Sequence, residues 1–537
     1  MSERDRFDPR SSQFYRTDIY HDGARFASQD ELTRDGYGEG GRLSFGYVPA
    51  KRGDKGVMET TYNGVKMGIL IAPPRSDKGT TMIRMAMDHP GSLVSFSPRG
   101  EEAAATYHYR KEVLGQDCVL IDPLNIVAPA IGAQQDSIDL MDLLDPKSPM
   151  FFEDSFSLAD GFSIPSDDTN GFWDNAMLDF ATTAIMAGKS DPIDGQAMTM
   201  PDALSLFSMP FPDLQERLLG KFKTPTNKGD KPVKPELIKK GLAHSEYQMV
   251  REGVARIANA EERTRNNIFS TVHAQARAFQ SEVIQNALSK STFDLNDLAK
   301  GNMTIYIVIP TFIAPFLASI IKLIITSCLY AVGRSMRFPD PPCLTLWDET
   351  FLCGTSSTLM DTMGIQSGDG NQIVTCWHDV SQIQQLYPRN WQTFISTAGY
   401  VAIFGNNDPE TQKFFSEYGD DMGGSSMSYQ SARMTAMPFI DDDMRMAGDG
   451  GIGGRLITQT MIKTMRPWEA LFFPANSLPV FGYKAPYFLD AKYRDRSGKP
   501  LFDQPPRYRH LKTPKAIDFK NAGDDLPEIL SKYMRYG

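Results

Sequence analysis

Residues 71–81, IAPPRSDKGTT, lie between the apolar runs VKMGIL and MIRMAM. A lysine between a strand and a helix, with hydroxyl residues just after it, is suited to holding polyphosphate. Consecutive backbone N–H groups point inward, the helix dipole adds positive potential, and the lysine reaches the β and γ oxygens. The usual spacing is G-x4-G-K-[ST]. Here Ala72 stands at the first glycine, Asp77 at the second and Lys78 at the lysine, while Gly79 takes the hydroxyl position and Thr80 follows. The second half of such a site is an apolar strand ending in an acid pair. CLTLWDE supplies Asp348 and Glu349. The aspartate would hold Mg2+ through water and the glutamate would polarise an attacking water. Either motif alone has a plainer explanation, since solvated acids at a strand end are common.

The elements that must position these residues are legible from periodicity. GVKMGILIA, SLVSFS and DCVLIDP read as strands, separated by helices after Lys78 and over EEAAATYHYRKEVLG. Such alternation predicts a mostly parallel sheet with helices on both faces. From about 170 to 290 strand signal almost vanishes. Met177, Phe180 and Ala184, then Val250, Val254 and Ile257, then Ile268, Val272 and Ala276, keep helical spacing. Strands return as TIYIVI, CLTLW, QIVTCW and YVAIFG. The expected division is a polar segment over 1–56, expected to be loosely packed, a nucleotide-binding domain in two parts (57–169 and 291–500), an all-α domain over 170–290, and a tail over 501–537. KFKTPTNKGDKPVKPELIKK carries seven lysines and reads as a solvated loop.

Composition narrows the classes. A net charge of −10 leaves DNA or anionic lipid only a local patch to contact. The five cysteines are scattered and form no CxxC pair, which argues against a zinc site or a disulfide framework. No apolar signal segment opens the chain. The apolar stretch 304–333 holds Pro310, Pro315 and Lys322 and splits better into a strand and a helix than into a membrane span. Cytoplasmic placement follows as the expectation, at most peripheral at the inner face of a bacterial inner membrane.

HDGARFAS (21–28), APPRSDKGT (72–80), PGSLVSFSPRGE (90–101), EERTRNNIFSTV (261–272), LTLWDE (344–349), VSQIQQLY (380–387), FGNNDPETQKFFSEYG (404–419) and GRLITQTMIK (454–463) occur in this order. The series resembles the coupling proteins of type IV secretion and bacterial conjugation, the TraG/TraD type, over nearly the whole chain from residue 21. The resemblance implies an α/β, RecA-like P-loop NTPase domain with an inserted all-α domain, in a hexameric ring of identical copies. It implies ATP and Mg2+ as cofactors. It also implies relaxase–DNA complexes or protein effectors as cargo, and type IV secretion ATPases or channel subunits as partners. By the motifs, Ala72, Pro73, Arg75, Ser76, Asp77, Lys78, Gly79, Thr80 and Thr81 line the phosphate loop. Thr80 and Asp348 face the metal, Glu349 and Gln382 are catalytic, and Glu101 matches the acid of a DPKGE motif.

The departures are as informative. Asp77 replaces a loop glycine, which lacks a Cβ and tolerates positive φ. Its carboxylate brings negative charge to the β/γ-phosphate position. At about 4 Å and an effective dielectric of about 20, each like-charge contact costs roughly 4 kcal/mol. SPRGE replaces DPKGE, with Ser97 and Arg99 at the altered positions. Ser367 falls where the family carries a trans-acting arginine, and no Arg or Lys occurs from 350 to 388. Arg75, Arg263 and Arg265 are the candidate substitutes. Only twenty residues precede HDGARFAS, which leaves a separate membrane-anchored partner as the expected anchor. The sequence therefore points to a cargo receptor with weakened hydrolysis. An active hexameric motor is the alternative, and a stand-alone DNA-binding protein the second alternative.

Overall fold

The computed structural model describes residues 25–49, 57–163, 172–191, 198–206, 209–223, 236–356, 359–360, 368–422, 455–505, 513–522 and 525–534. Thirteen strands are present among them: β1 (Leu43–Pro49), β2 (Val57–Tyr62), β3 (Gly68–Ile71), β4 (Leu93–Phe96), β5 (Asp117–Ile121), β6 (Gly220–Lys223), β7 (Glu236–Lys240), β8 (Met303–Ile307), β9 (Cys343–Trp347), β10 (Asn371–Trp377), β11 (Tyr400–Ile403), β12 (Glu469–Pro474) and β13 (Val480–Tyr483). All but β6 and β7 join one sheet, in the order β2-β1-β13-β12-β11-β3-β10-β9-β4-β8-β5. From β11 to β5 neighbouring strands are parallel, whereas β12, β13, β1 and β2 continue the sheet antiparallel. The α/β class with a mostly parallel sheet is what the alternating pattern predicts.

Side chains on successive strand residues point to opposite faces, and this sorts the core. Ile69 and Ile71 of β3, Val94 and Phe96 of β4, and Ile305 and Ile307 of β8 pack on one side with the helices Phe151–Phe162, Phe172–Ser190 and Ala318–Arg334. Leu70, Leu93 and Tyr306 pack on the other side, with Met82 and Met85 of the helix after β3 and Ala103 and Ala104 of the helix after β4. A sheet covered on both faces needs strands apolar throughout, which is why GILI, LVSF and MTIYI read as continuous runs.

Between β5 and β8 the described chain is helical apart from β6 and β7. These two pair antiparallel, with Lys221 opposite Lys239, and so flank part of the lysine-rich stretch expected to be a loop. The N-terminal segment also departs from expectation. Gln29–Arg34 forms a short helix, α1, whose Ser28 and Glu31 make a capping box. β1 is buried along most of its length and pairs with β2 and β13. Loose packing therefore does not hold over 25–49, because Leu43, Phe45 and Tyr47 bury apolar side chains on both sheet faces.

The stretch 304–333 divides between β8 and the helix Ala318–Arg334, and no described helix is long and apolar enough to cross a membrane. Lys322 is buried in that helix, where its ammonium donates to the carbonyls of Ser163 and Thr355.

Candidate nucleotide site

The parallel registers bring five strand ends together. Ile71 of β3 lies beside Trp377 of β10 and Ile403 of β11, and Trp347 of β9 lies beside Phe96 of β4. The residues that follow, Ala72, His378, Asp348 and Ser97, therefore emerge along one edge. Crevices at the carboxyl ends of parallel strands are where open α/β sheets bind ligands.

Residues 72–77 form the turn between β3 and the helix α2, Lys78–Asp88. Ala72 is buried, and its N–H donates to the Trp377 carbonyl at 2.8 Å. The Pro73 carbonyl accepts from the Ser76 hydroxyl at 2.6 Å, which tightens the turn. Arg75 and Asp77 both have φ 63°. Asp is among the few residues that visit this left-handed region readily, so the backbone a glycine would supply survives the substitution. The Asp77 carboxylate does not cap α2. Gly79 and Thr80 open the first turn half-buried, and Thr81 behind them is buried.

Lys78 Nζ lies 3.2 Å from Asp348 Oδ1 and in direct contact with Glu349 Oε1. Burial favours the neutral amine, but Cys376, Asp348 and Glu349 outweigh it and hold the ammonium well above its usual range. Glu349 sits at φ 55° just after β9. Its second oxygen lies 2.9 Å from His378 Nε2, an approach too poorly aligned for a good hydrogen bond but close enough for strong charge–dipole attraction. Burial raises the Glu349 carboxyl, and the His378 and Lys78 contacts more than reverse this, bringing it down to about 2. Asp348 behaves differently. Burial dominates and pushes its carboxyl up, against the pull of Lys78.

Gln382 joins the same group through His378. Its Oε1 accepts from the His378 N–H at 2.9 Å, and its Nε2 lies 3.3 Å from His378 Nδ1. An Nδ1 that accepts from the amide places the neutral imidazole's proton on Nε2, facing Glu349. Asp379 does not pair with His378. It caps the helix Val380–Leu386 by accepting from the Gln382 N–H at 2.8 Å. His378 is thus the link between Glu349 and Gln382; its bond to Gln382, four residues on, is local, whereas its contact with Glu349 is not.

After β4, Gly100 at φ 63° turns the chain into the helix α3, Glu101–His108. Two carboxylates flank Gly79 here. Glu101 Oε2 and Glu102 Oε1 each stand 3.5 Å from where a Cβ on Gly79 would sit. Glu101 is half-buried, whereas Glu102 is buried, and burial with the nearby Asp348 charge raises it to about 8. Sequence reasoning named only Glu101. Glu102 carries no separate local signal beyond its place beside it.

A second residue missed by sequence is Lys484, just after β13. It is buried, its Nζ donates to the Ser76 carbonyl at 2.8 Å, and that nitrogen lies 3.9 Å from the centre of the Phe404 ring. The two partners are 408 residues apart. Of the candidate arginines, Arg75 is exposed on the loop itself, Arg263 is exposed on the helix Glu262–Ala276, and Arg265 donates to the Ala260 carbonyl at 3.1 Å. Ser367 lies outside the described residues.

The donor set suits a nucleotide with Mg2+. No group of three or more His, Cys, Asp or Glu among the described residues is arranged to hold a metal alone. Mg2+ ordinarily takes one or two carboxylates together with substrate phosphates, and Asp348 beside the open turn of α2 meets that need.

The family model described as type IV secretory system conjugative DNA transfer matches residues 25–507. No curated protein matches. Among solved structures, the bacterial conjugative coupling protein TrwBdeltaN70 in an unbound form superposes with TM-score 0.60 at 11% identity, covering 90% of this chain and 98% of that one. The plasmid coupling protein TrwB in complex with ADP and Mg2+ gives 0.58 at 11% identity, over 90% and 96%. Its complex with the non-hydrolysable ATP analogue ADPNP gives 0.57 at 10%, over 90% and 96%. At such identity the likeness speaks for the fold, which is that of a RecA-like P-loop NTPase. With the match running across nearly its whole length, the chain belongs to the type IV secretory system conjugative DNA transfer family.

Proposed function

We propose that this chain is a nucleotide-binding coupling component of a conjugative or type IV secretion system, with weak ATP hydrolysis. It would receive relaxase–DNA or protein cargo within a ring of identical copies, beside the secretion ATPases or channel subunits and a membrane-anchored partner. The observation that carries the reading is the continuous chain Lys78–Glu349–His378–Gln382 at the carboxyl ends of β3, β9 and β10. The complexes of TrwB with ADP, Mg2+ and ADPNP support ATP and Mg2+ as the cofactors.

Residues 76–80 would hold the phosphates with backbone N–H groups and Lys78, while Thr80 and Asp348 would face the Mg2+. ATP supplies the phosphoanhydride whose hydrolysis can drive movement. Lys78 must first leave Asp348 and Glu349 to reach a phosphate. Glu349, freed on that side, keeps its His378 contact and loses the Lys78 charge that holds its carboxyl low, which makes it a better base to orient a water and accept its proton. Gln382, set by His378 and by the Asp379 cap, senses the same site.

Two features support weak turnover. The Asp77 carboxylate lies at the turn where phosphate charge would gather, and no Arg or Lys occurs in the sequence from 350 to 388 to serve a neighbouring site. Removing such a trans-acting arginine typically costs about 10³ to 10⁵ in rate. An active motor is the second reading, favoured by the intact Glu349–His378–Gln382 arrangement. Steady-state phosphate release by the purified chain separates them. Slow release that rises at least about tenfold in Asp77→Gly supports the weak-hydrolysis reading. Brisk wild-type turnover, unchanged by the substitution, supports the motor.

A further inference from the structure

Asp77 makes the loop look hostile to phosphate, yet the fold delivers a cation to the same turn. Lys484 reaches it from the antiparallel half of the sheet, anchored by its own N–H to the Trp468 carbonyl at 2.9 Å. The residue is 3% exposed. An ammonium with so little water needs compensation. The Ser76 carbonyl, next to Asp77, and the face of Phe404 supply part of it. Phe404 in turn is held to the strand that feeds the loop, its N–H donating to the Ile71 carbonyl at 3.0 Å. Two buried or part-buried carboxylates act on the ammonium, Asp77 and Glu469 of β12. Glu469 Oε2 accepts from the Arg466 N–H at 2.9 Å, a bond to a neutral backbone group that leaves its charge in place, and Asp77 is the larger of the two influences on the ammonium. Burial pushes the Asp77 carboxyl up and the Lys484 ammonium down to about 8, and each group's charge counters only part of the other's shift.

We propose that Lys484 is a positioning residue of the phosphate loop and the charge partner of Asp77. The pair takes the place of the usual glycine, with Asp77 supplying the left-handed backbone and Lys484 cancelling the carboxylate's charge and fixing the Ser76 carbonyl. The Asp77 carboxylate then no longer repels polyphosphate from the loop. The inference rests on the nucleotide-binding reading above; with the Asp77 charge cancelled, weak hydrolysis would rest on the absence of an Arg or Lys from 350 to 388 alone.

A double-mutant cycle on the full chain tests it, with MgADP affinity read by calorimetry for wild type, Lys484→Met, Asp77→Asn and the double variant. Asparagine keeps the tolerance for positive φ. Lys484→Met is expected to weaken MgADP at least about tenfold, since it leaves Asp77 uncompensated. The double variant is expected to return to within about threefold of wild type, because both charges are gone. Equal losses from Lys484→Met in the wild-type and Asp77→Asn backgrounds would overturn the pairing. So would a double variant that binds more than about tenfold weaker than wild type. The double variant holds no uncompensated charge, so it keeps the test decisive even if Lys484→Met alone fails to fold. If wild type itself binds no MgADP, the nucleotide reading fails, and the pairing falls with it.

Discussion

Lys78 Nζ is shared between Asp348 and Glu349, so at the residue scale nucleotide binding is a competition for one ammonium. Glu349→Gln removes the stronger competitor and the base together. The expected outcome is phosphate release lowered at least about 10²-fold with MgADP binding retained or tightened, read by a coupled phosphate assay and calorimetry. Unchanged release would remove Glu349 from the chemistry. Glu102 supplies a pH prediction. Burial and Asp348 raise its folded-state pKa from 4.5 to about 8. A group raised in this way contributes stability in full below its unfolded pKa and loses it as pH climbs toward the folded value. Stability should therefore fall between about pH 4.5 and 8 through this residue, by the order of a few kcal/mol. Glu102→Gln should flatten that slope in denaturant titrations and be more stable than wild type at pH 8. An unchanged slope would contradict the buried, proton-holding role.

At the scale of elements, the turn into α3 is the tightest joint near the site. A Cβ on Gly100 would meet Val127 Cγ2 at 2.2 Å, and the residue already sits at φ 63°. Gly100→Ala should cost about 2–3 kcal/mol, from strain and overpacking together. Chemical denaturation measures this, and a loss under about 0.5 kcal/mol would show that the joint can relax. The elements also show what could be read in advance. β3, β4, β9 and β10 are short apolar runs buried on both faces, and such runs announce themselves. The Asp348–Glu349 pair and the Lys78 turn could be found because each is local to a strand end. β1 escaped notice because Arg, Asp and Gly around it mask a strand whose partners, β2 and β13, lie on both sides in space. β6 and β7 escaped because their own stretches, GKFK and ELIKK, are rich in lysine, which carries little β signal. Lys484 and Glu102 were missed for another reason: they matter through a long-range contact or burial that no spacing encodes. His378 stands four residues before Gln382 and could be read as its hydrogen-bond partner, but not its contact with Glu349.

At the scale of the whole molecule, the sheet joins the parallel half that carries the phosphate turn to the antiparallel half that delivers Lys484. The site is therefore a product of the complete fold, and a truncation before β13 is expected to abolish nucleotide binding even with the loop intact. Ring assembly belongs to this scale too. Sedimentation of the full chain should show a shift from monomer toward a hexamer on adding Mg2+ with a non-hydrolysable ATP analogue, and a monomer throughout would contradict the ring. The central claim, that residues 72–80 hold a nucleotide through Lys78, is tested most directly by calorimetric titration of the full chain with MgADP, beside Lys78→Ala. The account predicts saturable, Mg2+-dependent binding at one site per chain that is lost in the variant. Absence of binding to the wild type, or equal affinity in Lys78→Ala, would contradict it.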